Sequence, residues 1–211
     1  MPAENALLSG GESSFRFDCT LCGQCCSGSM KVFLNPEDLR RLGRFLGMDH
    51  TERLFLEGYL VKDRGQNGLL FPRMRFRGHR PGFCPFVENH WNQDTRTLRA
   101  LCALHGKAKP LVCRLAPLAR ELDFPDAGAG SDASPAESWF LQEPVTGCPG
   151  MDRGEEQLLR EALAPLRKEL EGEVEFFRRL REEETRGGSP ESLFETFFLF
   201  PLEPDSPAGG D

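Results

Sequence analysis

Residues 19–26 read Cys19-Thr20-Leu21-Cys22-Gly23-Gln24-Cys25-Cys26, which places four thiols within eight residues, two of them adjacent. A loop of this kind can turn its sulfurs toward one region of space, a geometry that suits a soft metal or an iron–sulfur cluster. The other four cysteines are scattered, at Cys84, Cys102, Cys113 and Cys148. Eight thiolates are enough for two four-sulfur sites. Gly23 and Gly28 relieve the backbone where such a loop must wrap around its sulfurs.

Three chemistries compete for these thiols. Disulfides suit an even count, but adjacent Cys25 and Cys26 are awkward to bridge separately. The stretch Met1–Ser14 also lacks the cationic start and apolar run of a secretory signal. A reducing cytoplasm is therefore the expected compartment. Ordinary buried thiols explain Cys102 or Cys113 singly, but not the dense loop. Metal ligation accounts for all eight. Structural zinc commonly uses paired Cys-x-x-Cys knuckles. Here Cys19, Cys22 and Cys25 are evenly spaced by three, with no second knuckle. A three-cysteine run with a remote Cys-Pro resembles ferredoxin-type ligation of a four-iron cluster, and both Cys84-Pro85 and Cys148-Pro149 offer one. The expected cofactor is an iron–sulfur cluster of 4Fe–4S type, with zinc as the alternative. Adjacent side chains generally diverge, so Cys25 and Cys26 are expected to serve different sites, or one to be a spare thiol. Cys102 and Cys113, with His105 nearby, would supply part of a second site.

A chain of 211 residues supports one substantial core and a small appendage. A hydrophobic fraction of 39% and a charged fraction of 28% are ordinary for a globular protein. A net charge of −7 gives nucleic acid no overall attraction. The local run Arg73, Arg75, Arg77, Arg80 reads as the solvated face of a strand. No apolar stretch approaches the ~18 residues of a membrane span. The sequence divides into a flexible leader over 1–14, a cysteine-cluster domain over 15–152, a helical extension over 153–200 and a disordered tail over 201–211.

The local patterns predict an α+β fold: a small cysteine-rich domain with a short antiparallel sheet and helices, followed by amphipathic C-terminal helices. Asn35-Pro36-Glu37-Asp38 starts a helix running to about Leu46, and a second helix is expected over Thr51–Leu60. Strands are expected at 69–77, Phe83–Val87, Thr95–Leu101 and Leu118–Leu122, with a turn at Asn89–Asp94 and a helical turn over Lys109–Leu115. Residues 123–138 are small, polar and turn-rich, an expected exposed loop. Beyond Gly154, apolar residues recur every three or four positions from Leu159 to Leu180, an amphipathic helix bent at Pro165. Ser189-Pro190 begins a last helix with Leu193, Phe194, Phe197 and Phe198 as its apolar face. Both C-terminal helices are expected to pack on the main domain rather than form a dimer seam.

The motifs together resemble the YkgJ-type CxxCxxCC cysteine-cluster family of zinc- or iron-chelating domains. The loop Cys19–Cys26 carries that family's defining pattern. Gly82-Phe83-Cys84-Pro85-Phe86 is similar to its second motif. Cys102-Ala103-Leu104-His105 through Lys109-Pro110, Cys113-Arg114 and Pro117 is similar to its third, and Cys148-Pro149-Gly150 to its last. The resemblance spans roughly residues 15–150 and implies metal chelation by all eight cysteines, leaving zinc and iron open. It departs at His105, where the family usually has Tyr, and at Lys109, where it usually has Arg. The expected function is metal binding through the cysteines, serving electron transfer or redox sensing with a protein or redox partner. A zinc-held interaction module and a metal-dependent enzyme stand beside it. No paired carboxylates or nucleophile triad mark a catalytic residue. Phe17, Phe83, Phe86 and Trp139 are expected to form an apolar shell around the metal. Lys109 and Arg114, beside Cys113, read as surface charge.

Overall fold

A computed structural model describes residues 6–8, 10–27, 30–65, 67–78, 82–94, 96–125 and 134–203. Gly28, Arg80, the first five residues, the centre of the 123–138 loop and the tail from 204 onward lie outside the described residues. In chain order the strands are β1 (Ala6–Leu8), β2 (Ser14–Phe17), β3 (Leu60–Arg64), β4 (Leu70–Met74), β5 (Val87–Asn92), β6 (Thr97–Cys102), β7 (Leu118–Asp123), β8 (Ala136–Leu141) and β9 (Met151–Leu158). The helices are α1 (Pro36–Phe45), α2 (Glu52–Leu56), α3 (Leu111–Leu115), α4 (Leu159–Leu163), α5 (Arg167–Thr185) and α6 (Pro190–Phe198). The strands pair antiparallel, as one three-stranded sheet β1-β8-β7 and three two-stranded pairs, β2-β9, β3-β4 and β5-β6. The fold is α+β, as the patterns predict.

α1 begins as its sequence dictates. The Asn35 side chain accepts from the Asp38 N–H, the Asp38 carboxylate accepts from the Asn35 N–H, and Pro36 occupies the first turn. Gly47 ends it in the left-handed region. α2 is shorter than expected. Gly58, at φ +74°, breaks the helix, and Leu60 opens β3 instead. In β4, Pro72 and Met74 point inward while Arg73 pairs with Asp63 on the outside at 2.5 Å. The strand expected at Phe83–Val87 lies further on, over Val87–Asn92, and the turn expected at Asn89–Asp94 closes the hairpin only after Asn92. Phe83 keeps only isolated bridges to Ser27 and Arg77. Ala6–Leu8, within the expected leader, pairs with β8 from Ala6↔Leu141 to Leu8↔Trp139.

A further difference falls at β9, where a helix was expected to begin soon after Gly154. Residues 151–158 instead pair with β2, and the register jumps from Arg16↔Glu156 to Phe17↔Met151. Asp152 and Gly154 both take positive φ, which a helix does not admit. The helix then starts at Leu159 and passes through a 3-10 turn, Ala164–Leu166, at Pro165 before α5.

Two apolar cores result. The main core holds Val32, Leu39, Leu42, Leu54, Leu60 and Met74 together with Phe176, Leu180, Phe194 and Phe198 of α5 and α6. The C-terminal helices therefore pack on the body of the chain. The second core holds Phe15, Leu111, Leu115, Leu118, Trp139, Leu159 and Leu170. α3 is the wall between them: Leu111 and Leu115 face the second core, while Cys113 packs against the first.

Candidate metal centre

The cysteine loop leaves β2 and closes in a 3-10 turn, Gln24–Cys26, entered through Gly23 at φ +74°. The hairpin β5-β6 is its platform. The Ala100 N–H donates to the Leu21 carbonyl at 2.8 Å. A Cβ on Gly23 would stand 2.4 Å from Ala100 Cβ, so only glycine allows this approach. The Cys84 N–H donates to the Cys26 carbonyl at 2.7 Å, which ties the second cysteine motif to the end of the loop. Cys102 lies opposite Val87 at the base of the hairpin, and the Val87 N–H donates to the Cys84 carbonyl at 3.2 Å. α3 brings in Cys113 from the other side.

Five of the eight expected ligands thus lie in one neighbourhood: Cys25, Cys26, Cys84, Cys102 and Cys113. All five are half-buried, and each is within electrostatic reach of at least two others. Cys19 and Cys22 are exposed on the outer part of the loop. Cys148 is half-buried near the start of the loop, where the Asp18 N–H donates to the Gly150 carbonyl at 3.1 Å. Among the described residues, no three His, Cys, Asp or Glu side chains converge closely enough to hold a single ion. By donor chemistry the inner set fits a soft, thiophilic metal or an iron–sulfur cluster.

The adjacent pair behaves differently from expectation. Cys25 and Cys26 do not diverge; their side chains hydrogen-bond each other. A 3-10 turn rotates neighbouring residues by about 120°, closer together than the alternating faces of a strand. The bond from Cys26 lowers Cys25 to about 6, against opposing burial and with help from the Lys109 ammonium. The same bond pushes Cys26 strongly up, reinforced by burial and by Cys84 and Cys102. Burial raises Cys84 to about 11 and Cys113 to about 12. A metal entering this set must displace protons from buried thiols, so binding is coupled to proton release.

Other expectations change. Of the four aromatics proposed as a shell, Phe86 lies in the main core against the thiols, and the Tyr59 ring stacks on it with centroids 5.4 Å apart. Phe17 and Trp139 pack in the second core, and Phe83, held only by isolated bridges, is half-exposed. Arg114 is not surface charge; it is largely buried and paired with Glu169 of α5. His105 stands exposed on the turn after Cys102, its N–H bonded to the Cys102 carbonyl at 2.9 Å. In the sequence Asp38 reads only as an acid in the first turn of a helix. Its second oxygen also accepts from the Leu111 N–H at 2.8 Å, at the start of the cysteine-bearing α3. Burial raises its carboxyl to about 6, although the bonds from Leu111 and Asn35 pull the other way.

An α+β scaffold that gathers thiols from four separate segments around one buried region defines a cysteine-cluster metal-binding domain. Residues 18–148 match the model of the family described as "CxxCxxCC: Putative zinc- or iron-chelating domain", and the chain belongs to that family. No curated protein and no solved structure matches the chain. Among the described residues, no helix is long and apolar enough to cross a membrane.

Proposed function

We propose that this protein binds an iron–sulfur cluster through its cysteines and uses it for electron transfer or redox sensing with a protein partner. The observation that carries the reading is the gathering of Cys25, Cys26, Cys84, Cys102 and Cys113 from the loop, the segment leading into the hairpin, the hairpin itself and α3. The donor set is all thiol, the ligation that four-iron clusters use. When bound, the cluster supplies one-electron exchange. The chain's own residues hold it, with Phe86 and Tyr59 limiting water on the core side. The exposed Cys19 and Cys22 leave the loop's outer face open to a partner.

Zinc in the same thiols is the second reading. Cys84, Cys102 and Cys113 all pack against the main core, where a closed metal would tie separate segments together. Anaerobic purification with iron, zinc and acid-labile sulfide analysis, joined to absorption spectroscopy, separates the two. The expected result is a brown protein containing iron and sulfide whose visible bands bleach on reduction. A colourless protein carrying only zinc overturns the cluster reading and leaves a structural metal.

A further inference from the structure

α3 carries Cys113 but is too short to hold itself in place. Five residues fall well below the length at which a helix is stable alone. Pro110 precedes it and provides no side-chain cap. Its orientation therefore has to come from its surroundings, and two other helices supply it. From α1, Asp38 is 4% exposed and accepts the Leu111 N–H at 2.8 Å. From α5, Glu169 pairs with Arg114, the residue next to Cys113. The other oxygen of Glu169 accepts from Arg41 of α1 at 3.2 Å. Arg41 in turn donates to the Lys107 carbonyl at 3.0 Å, in the turn that follows Cys102. One carboxylate on α5 thus anchors both segments that bring Cys102 and Cys113 to the thiol cluster. Glu169 lies beyond residue 148, where the match to the chelating family ends.

We propose that Glu169 is a positioning residue for the metal centre. Through Arg114 and Arg41 it sets where Cys113 and Cys102 stand, so the C-terminal helices are part of the site's support and not only its cover. Metal-ligating side chains are commonly oriented by partners of this kind, one bond removed from the ligand. The inference rests on the metal-binding reading above.

Cobalt(II) binding to the full chain, with chelator competition and the thiolate-to-cobalt charge-transfer band as readouts, tests it. Glu169→Ala is expected to fold with wild-type helix content yet bind cobalt roughly 10–100-fold more weakly, with a weaker charge-transfer band. Glu169→Gln, which keeps an acceptor for Arg114, is expected to recover part of that loss. Glu175→Ala, which removes an exposed carboxylate paired with Arg178 on the same helix, is expected to match wild type. A folded Glu169→Ala with wild-type affinity and band intensity overturns the proposal. If Glu169→Ala does not fold, Glu169→Gln and Arg114→Lys decide: folded protein with about threefold or greater weakening supports it, and wild-type binding in both overturns it. A wild-type chain that binds no cobalt and is purified anaerobically without iron or zinc refutes the metal reading itself, a failure distinct from normal binding in the variants.

Discussion

Asp38 makes the stability of this protein depend on pH in a predictable direction. Its carboxyl is 4% exposed and its proton affinity is raised from 3.8 to about 6, chiefly by burial. A group held above its unfolded value binds its proton more tightly in the folded state. Its contribution is fully present below pH 3.8 and is lost as pH rises through about 6. At about 1.4 kcal/mol per pH unit, the rise corresponds to about 3 kcal/mol. Asp38→Asn removes the titration while keeping an oxygen for the Leu111 N–H. It sets an amide N–H₂ against the Asn35 N–H, which costs roughly 1–3 kcal/mol at every pH. Urea unfolding of wild type and variant between pH 4 and 7.5 is the assay, because other titrating groups cancel in the difference. The variant is expected to be clearly less stable near pH 4 and to gain on wild type by about 2 kcal/mol over this range, the gain levelling off above pH 6. A difference that stays flat across this range refutes the argument that burial, rather than the two amide bonds, governs this carboxyl.

Gly23→Ala is expected to cost about 1–3 kcal/mol and to reduce metal retention, since the new methyl meets Ala100 at 2.4 Å and the backbone is left-handed. Thermal unfolding and metal content check it, and Ala100→Gly in the same chain should restore part of the loss; no recovery would count against the loop-on-hairpin contact. Phe198→Ala, at a fully buried ring in the main core, is expected to destabilise by about 3–5 kcal/mol in urea unfolding. A loss below about 1 kcal/mol would mean that α6 is not integral to that core.

Much of this was legible because the signals were local. Asn35-Pro36 and Ser189-Pro190 announce helix starts by capping chemistry, and both helices begin there. The heptad-like spacing from Leu159 to Leu180 marks α4 and α5, and Pro165 marks the break between them. The cysteine loop announces soft-metal chemistry by density alone. What stayed hidden depends on partners distant in sequence. β9 is mostly exposed and polar, with no apolar alternation, and is a strand because β2 pairs with it. Trp139 looks like a shell residue until the chain path sends it to the second core. The meeting of Cys25 and Cys26 follows from the tightness of a 3-10 turn, which spacing alone does not reveal. Glu169 carries no motif at all; its role exists only where α5 crosses α3.

The pairing of β2 with β9 sets a timetable for synthesis. Phe15, just ahead of the cysteine loop, finds its partner at Gln157, and Ser14 at Leu158. At the usual pace of translation, roughly seven to twenty-six seconds separate the emergence of the loop from that of the strand that anchors it. Cys113 and its wall arrive within that interval, and Glu169 after it. The nascent chain therefore shows the ribosome's surroundings a bare run of nucleophilic sulfurs before it has any means to enclose them. The strand that fixes the entrance to the loop is thereby completed only late in synthesis, after every one of the inner cysteines has emerged.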